Sequence, residues 1–153
     1  MTRIMFVCHG NICRSPMAEF IMKDLVRKED LTSQFVIASS ATSTEEIGNP
    51  VYPPARAELK RHGIFCDDNK RAIQLKKSDY DKYDLFVVMD SGNVRNIRRI
   101  FKIDPGNKIH KLLEYTGRDG DVADPWYSRR FDVAFADIYE GCEGLLEKLI
   151  GEM

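Results

Sequence analysis

The chain has 153 residues, with 23 lysines and arginines against 24 aspartates and glutamates, for a formal net charge of -1. That length suits one compact domain over residues 1–153, with enough core to need neither a disulfide staple nor a structural metal. The near-neutral balance argues against a nucleic-acid partner, and the longest apolar runs, such as Leu85 to Met89, are far too short to span a bilayer.

Strand-like and helix-like stretches alternate from the start. Ile4 to Val7 reads as a short buried strand, followed by the loop Cys8-His9-Gly10-Asn11-Ile12-Cys13-Arg14. Ser15-Pro16 reads as an N-cap with proline at the first helical position, opening a helix over Pro16 to Lys28 with apolar residues at Met17, Phe20, Ile21, Leu25 and Val26. Phe35 to Ala38 is a second strand, and 39–54 a long polar loop with prolines at 50, 53 and 54. Ala55 to His62 reads as a helix stopped by Gly63. Leu85 to Met89 is a buried strand, Asp90-Ser91 caps a helix over Asn93 to Phe101, and Ile109 to Leu113 is a fourth strand. A last helix, about Asp132 to Ile150, puts Ile138, Cys142, Leu145, Leu146 and Leu149 on one face. This alternation predicts an α/β fold: a three-layer, four-stranded parallel sheet with helices on both faces.

In such a sheet ligands bind beyond the carboxyl ends of the strands, where the Cys8 loop falls. A loop between a strand and a helix N-terminus directs several backbone N–H groups at one point, and the helix dipole adds positive charge. That nest binds an oxyanion and favours the thiolate of a cysteine held inside it. Arg14 offers a planar fork for two phosphoryl oxygens, and its place at a helix start, unfavourable for a lone cation, fits an anion nearby. Gly10 is expected to supply unusual backbone angles and Asn11 a left-handed one, while the Ser15 hydroxyl can cap the helix or donate to Cys8. The four cysteines (Cys8, Cys13, Cys66, Cys142) form no C-x-x-C pair and are expected as free thiols. Cys8, His9 and Cys13 lack a fourth zinc ligand, so neither a metal nor a cofactor is expected. The stretch after Arg3 does not read as a signal peptide, which makes a cytoplasmic protein the expectation. By pattern alone Asp124-Pro125 is a turn, and Trp126 and Tyr127 are equally readable as core aromatics.

The string Val7-Cys8-His9-Gly10-Asn11-Ile12-Cys13-Arg14-Ser15-Pro16, taken with Asp124-Pro125-Trp126-Tyr127, resembles the low-molecular-weight protein tyrosine phosphatases. The similarity runs over the whole chain, through Ser39-Ser40-Ala41-Thr42-Ser43, Glu46-Ile47-Gly48-Asn49-Pro50, Arg61-His62-Gly63-Ile64 and Met89-Asp90. The resemblance implies a two-step hydrolysis of phosphotyrosine proteins or small aryl phosphates. Cys8 is then the nucleophile, Arg14 the phosphoryl ligand, and Asp124 the general acid and then base. It further implies a substrate site formed by His9, Gly10, Asn11, Ile12, Cys13, Ser15, Trp126 and Tyr127, and loop support from Asn11, Ser15 and Ser39. It also implies a protective Cys8–Cys13 disulfide under oxidation, and inorganic phosphate or vanadate as inhibitors.

Two departures from the family pattern stand out. An aromatic residue common after the second strand is replaced by Thr44-Glu45-Glu46, an acidic lip expected to disfavour acidic peptides. A histidine that often braces the loop is missing from Asp67-Asp68-Asn69-Lys70-Arg71, so either Asn69 substitutes or the bracing weakens. His62 reads as a helix-end residue and His9 as outward-facing. The rivals are an arsenate reductase of the same fold, which needs a disulfide relay that Cys66 and Cys142 are poorly placed to supply, and a phosphotyrosine-binding module, which has no use for Asp124. The oligomeric state is not legible.

Overall fold

The computed structural model describes residues 1–153. Four strands, β1 (Thr2–Cys8), β2 (Phe35–Ala41), β3 (Leu85–Val88) and β4 (Ile109–Lys111), form one sheet in the order β2-β1-β3-β4 with every pair parallel. Between and after them run α1 (Arg14–Lys28), α2 (Pro53–Arg61), α3 (Ser91–Phe101), the single turn α4 (Pro125–Ser128) and α5 (Phe131–Gly151). The three-layer α/β expectation holds.

The alternation of side chains along β1 builds both layers at once. Ile4, Phe6 and Cys8 join the larger core with α1, α2 and α5, while Met5 and Val7 join Phe86, Val88, Ile97 and Phe101 beneath α3. β1 is buried along its length from Ile4 because it is central and covered twice, which is why it reads as a continuous apolar run rather than an alternating one. Each large side chain removed from water here contributes about 2–3 kcal/mol.

The element boundaries differ from the sequence reading for identifiable reasons. β2 continues to Ala41, since Ser39, Ser40 and Ala41 pair in register with Phe6, Val7 and Cys8; the small side chains of all three are buried, so composition alone reads as loop. α2 begins at Pro53, with both prolines in its first turn where a missing N–H costs nothing. β4 stops at Lys111, and Leu112–Thr116 instead turns as a 3-10 helix whose Leu112 and Leu113 are buried. α5 lies directly on that turn: a Cβ at Gly144 would sit 2.2 Å from the Tyr115 carbonyl oxygen, so only glycine allows the approach.

α1 also starts early, at Arg14, with Cys13 as the N-cap residue and no side-chain cap. Ser15 is therefore inside the helix, and its hydroxyl is free to point back at the loop. No helix is long and apolar enough to cross a membrane.

Candidate active site

β1 is a central strand flanked by β2 on one side and β3 on the other, so the strand order reverses beside it, and the Cys8–Arg14 loop fills the crevice beyond its carboxyl end. The loop's outer carbonyls are held by other segments: those of Cys8, His9 and Ile12 accept from the amides of Thr42, Ser43 and Tyr52 at 3.0, 3.1 and 2.8 Å. Asn11 takes the left-handed conformation, with φ of 59°. Gly10 does not have a positive φ, contrary to expectation, and a Cβ there would make only ordinary contact, 3.4 Å from Glu46 Cγ at the cleft wall.

Cys8 Sγ is almost fully buried and lies 3.0 Å from Ser15 Oγ and 3.4 Å from the Ser15 amide nitrogen. Asn11 Nδ2 donates to Ser15 Oγ at 2.8 Å and to Ser39 Oγ at 2.9 Å, while its Oδ1 accepts from the Ile73 amide. Ser39 Oγ in turn donates to Glu19 Oε1 at 2.6 Å. The expected trio of Asn11, Ser15 and Ser39 is thus continuous with the Cys8 thiol. Asn69 does not take part: its amide bonds to Asp67 Oδ1, and the neighbouring residue, Lys70, reaches the network by donating to the Ser39 carbonyl at 3.0 Å.

Arg14 is 2 % exposed, and a buried guanidinium is costly unless its donors are met. Nη1 donates to Asp90 Oδ2 at 2.7 Å and to the Val122 carbonyl at 2.9 Å; Nη2 lies 3.5 Å from Asp124 Oδ2. Burial opposes the charge, but the Cys8 sulfur, Asp90 and Asp124 outweigh it and hold the arginine above its ordinary range. Asp90 carries two tasks at once, since its Oδ1 caps α3 through the Asn93 amide. The sequence reading found only the cap.

The opposite wall is brought in by Val122, whose amide bonds to the Met89 carbonyl at the end of β3. Asp124 then caps α4, with Oδ1 accepting from the Trp126 amide at 3.0 Å. Trp126 packs against Tyr52, to which the sequence gives no site role, in a tilted pair with ring centroids 4.9 Å apart, and is 42 % exposed; Tyr127 is 82 % exposed, so neither is a core aromatic. The acidic lip faces the same space, and His9 points outward to pair with Glu45 at 2.9 Å. Together Cys8 to Arg14, Glu45, Glu46, Asp124, Trp126 and Tyr127 line a cleft of about 140 Å³.

Cys13 also borders the cleft, and burial, with Cys8 and Asp124 adding to it, pushes its thiol up to about 12. Cys66 and Cys142 lie elsewhere: Cys142 is fully buried in α5, its Sγ 3.8 Å from the Ala18 carbonyl. His62 ends α2 as expected, stacked at 3.8 Å on Phe135.

A buried arginine and a thiol share one loop at the end of a central strand of a doubly covered parallel sheet, and a carboxylate faces them across the cleft. The family model for low molecular weight phosphotyrosine protein phosphatases matches residues 3–153. The chain is similar to the low molecular weight protein-tyrosine-phosphatase YfkJ of Bacillus subtilis, at 36 % identity over 97 % of this chain and 96 % of that one. The crystal structure of YfkJ superposes with a TM-score of 0.95. A low molecular weight phosphotyrosine protein phosphatase of Gallus gallus is 38 % identical over 91 % of this chain and 87 % of its own length. The crystal structure described as drosophila arginine phosphatase is 29 % identical, with a TM-score of 0.86 and coverage of 97 % and 98 %. The chain belongs to the low molecular weight phosphotyrosine protein phosphatase family and is a phosphatase.

Proposed function

We propose that the protein hydrolyses phosphotyrosine in proteins, and small aryl phosphates, through a phospho-cysteine intermediate on Cys8. The observation that carries this reading is the placement of the Cys8 thiol, the Arg14 guanidinium and the Asp124 carboxylate around one cleft. Arg14 is fixed through Nη1, so its Nε–Nη2 edge is available to two phosphoryl oxygens, with the loop amides holding the others. Cys8 Sγ attacks phosphorus and the P–O bond to the aryl group breaks. Asp124 gives its proton to the departing oxygen. In the second step Asp124 takes a proton from water, which attacks the phospho-cysteine; the S–P bond breaks, and inorganic phosphate leaves. The hydroxyl of Ser15, 3.0 Å from Sγ, stabilises the sulfur as it is released.

Ile12, Trp126 and Tyr127 form the apolar wall for the substrate ring, with His9, Gly10 and Cys13 completing the lining. The lip of Glu45 and Glu46 disfavours peptides with acidic residues beside the phosphotyrosine. Inorganic phosphate and vanadate compete for the same loop. Cys13 serves as the disulfide partner of an oxidised Cys8, and the protein acts in the cytoplasm, where both thiols stay reduced.

The deciding experiment compares turnover of phosphotyrosine, p-nitrophenyl phosphate, phosphoarginine and arsenate by wild type, Cys8→Ser and Asp124→Ala. The reading expects hydrolysis of the two aryl esters, abolished by Cys8→Ser. Aryl phosphatase activity that survives Cys8→Ser overturns the mechanism, and a preference for phosphoarginine or arsenate overturns the substrate assignment.

A further inference from the structure

The open wall of the cleft stands on an element too small to hold itself. α4 is a four-residue turn, Pro125–Ser128, and a helix that short has no stability of its own. Its hydrogen bonds close locally: Asp124 Oδ1 accepts from the Trp126 amide at 3.0 Å, and the Pro125 carbonyl accepts from the Arg129 amide at 2.9 Å. Neither bond fixes the indole of Trp126, which is 42 % exposed. A flat wall selects an aryl ring only while it keeps one orientation, so contacts from outside the turn have to hold it.

Arg129 ends the turn in the left-handed conformation, with φ of 60° and ψ of 11°, where a helix terminus ordinarily takes glycine or asparagine. A side chain held at that backbone cost has to return it through its contacts. Nη2 of Arg129 donates to the Tyr52 hydroxyl at 3.1 Å, and Nη1 donates to the Trp126 carbonyl at 3.3 Å. The guanidinium carbon lies 5.5 Å from the ring centroids of both Tyr52 and Phe131, within cation–π range. Tyr52 is half-buried, and its ring centroid lies 4.9 Å from that of Trp126 and 6.0 Å from that of Phe131. Its amide donates to the Ile12 carbonyl of the Cys8 loop at 2.8 Å. Tyr52 therefore joins the buried loop to the exposed wall, and Arg129 ties Tyr52 to the turn that carries Trp126.

We propose that Tyr52 and Arg129 are positioning residues that lock Trp126 against the Cys8 loop and thereby set how tightly the ring of an aryl phosphate is held. This rests on Trp126 being the wall for the substrate ring. The ring enters between Ile12 and Trp126, and Tyr52 spans the two, with its backbone on Ile12 and its side chain on Trp126. Neither Tyr52 nor Arg129 lines the cleft, so their effect on substrate passes through Trp126.

Trp126 is the only tryptophan in the chain, so its fluorescence reports the wall directly and without turnover. The variants are Arg129→Gly, Arg129→Lys, Tyr52→Phe and Tyr52→Ala. Each is followed by Trp126 emission anisotropy and acrylamide quenching, and by steady-state kinetics on p-nitrophenyl phosphate with inorganic phosphate as competitor. Glycine suits the left-handed backbone, so a merely structural role for position 129 predicts that Arg129→Gly keeps both stability and KM. The positioning role predicts lower anisotropy, faster quenching and a KM raised about threefold, the worth of one exposed cation–π contact, with kcat nearly kept. Tyr52→Ala should raise KM about fivefold to tenfold through the lost aromatic pair, and Tyr52→Phe about twofold through the lost hydrogen bond. Arg129→Lys keeps a cation over the two rings and should recover part of the Arg129→Gly loss. The inhibition constant of phosphate, which meets the loop and not the wall, should stay at the wild-type value throughout. Unchanged anisotropy and KM in Arg129→Gly overturn the proposal. A phosphate inhibition constant that rises together with KM overturns it too, because that marks damage to the loop. A looser Trp126 with an unchanged KM removes Trp126 from the ring wall, and the proposal with it. Should Tyr52→Ala fail to fold, Arg129→Gly decides. Failure of the phospho-cysteine mechanism shows separately, as activity in Cys8→Ser.

Discussion

The two walls of the cleft are built in opposite ways. On one side, Cys8, Asn11, Arg14 and Ser15 are all within 3 % of complete burial, and their side chains are tied into a network that reaches β2, α1 and α3. On the other, Asp124, Trp126 and Tyr127 stand on a single turn of helix, with Tyr127 82 % exposed. A phosphoryl group demands fixed donors at fixed distances, which only a preorganised, water-excluded loop supplies. The leaving group of a protein substrate arrives with its own bulk, and an exposed wall admits it. On the proposed mechanism, rigidity sits where charge develops, and openness where the substrate varies.

Mutations on the buried wall should therefore cost far more than those on the open one. Cys8→Ser, which removes the proposed nucleophile, is expected to lower kcat for p-nitrophenyl phosphate by roughly 10⁴-fold or more. Arg14→Lys keeps the charge but loses the fork, and steady-state kinetics should show a loss of about 10²–10³ in kcat/KM. Asp124→Ala should cost about 10²-fold or more for phenyl phosphate, yet much less for p-nitrophenyl phosphate, whose leaving group needs little proton donation. Equal losses for the two esters would remove Asp124 from the acid role. Trp126→Ala should raise KM for a phosphotyrosyl peptide by about tenfold, as befits a half-exposed aromatic contact, with kcat nearly kept. Glu45→Gln is the smallest, a gain of about twofold to fivefold in kcat/KM for peptides acidic beside the phosphotyrosine, shrinking as salt is raised.

Thiol chemistry sharpens the contrast within the buried wall itself. Cys13, held up to about 12 by burial with Cys8 and Asp124 adding to it, keeps its proton throughout the neutral range and reacts only as the pH approaches that value. Iodoacetate at neutral pH should thus label Cys8 and spare Cys13, and mass mapping of the labelled peptides checks it. The same burial makes Cys13 a slow resolving thiol, so closure of a Cys8–Cys13 disulfide should accelerate as pH rises.

What could be read from sequence followed from how local each feature is. Cys8, Asn11, Arg14 and Ser15 fall within one eight-residue stretch, and the strand before them and the helix after them are visible in hydrophobic pattern. Asp124 and Trp126 carry no local signal beyond a turn; only resemblance to the family singled them out. Residues that serve the site across the fold were missed. Asp90 lies 76 positions from Arg14 and Val122 lies 108, and neither separation leaves a spacing to detect. Ser39 and Ser40 read as loop because small polar side chains buried in a strand look like turn residues. Lys70 reads in sequence as solvated surface, because its partners, the Ser39 carbonyl and Glu19, lie far away along the chain. Gly10 suggests backbone freedom by its type alone, yet it is the neighbouring Asn11 that takes the left-handed angle.

The most direct test of the central claim is to trap the intermediate. Asp124→Ala mixed with p-nitrophenyl phosphate and quenched in acid on the millisecond scale should carry one phosphoryl group on the peptide containing Cys8, because the group that activates the hydrolytic water is gone. Continued release of p-nitrophenol with no phosphoryl group on that peptide, or with the group on another residue, would contradict the account.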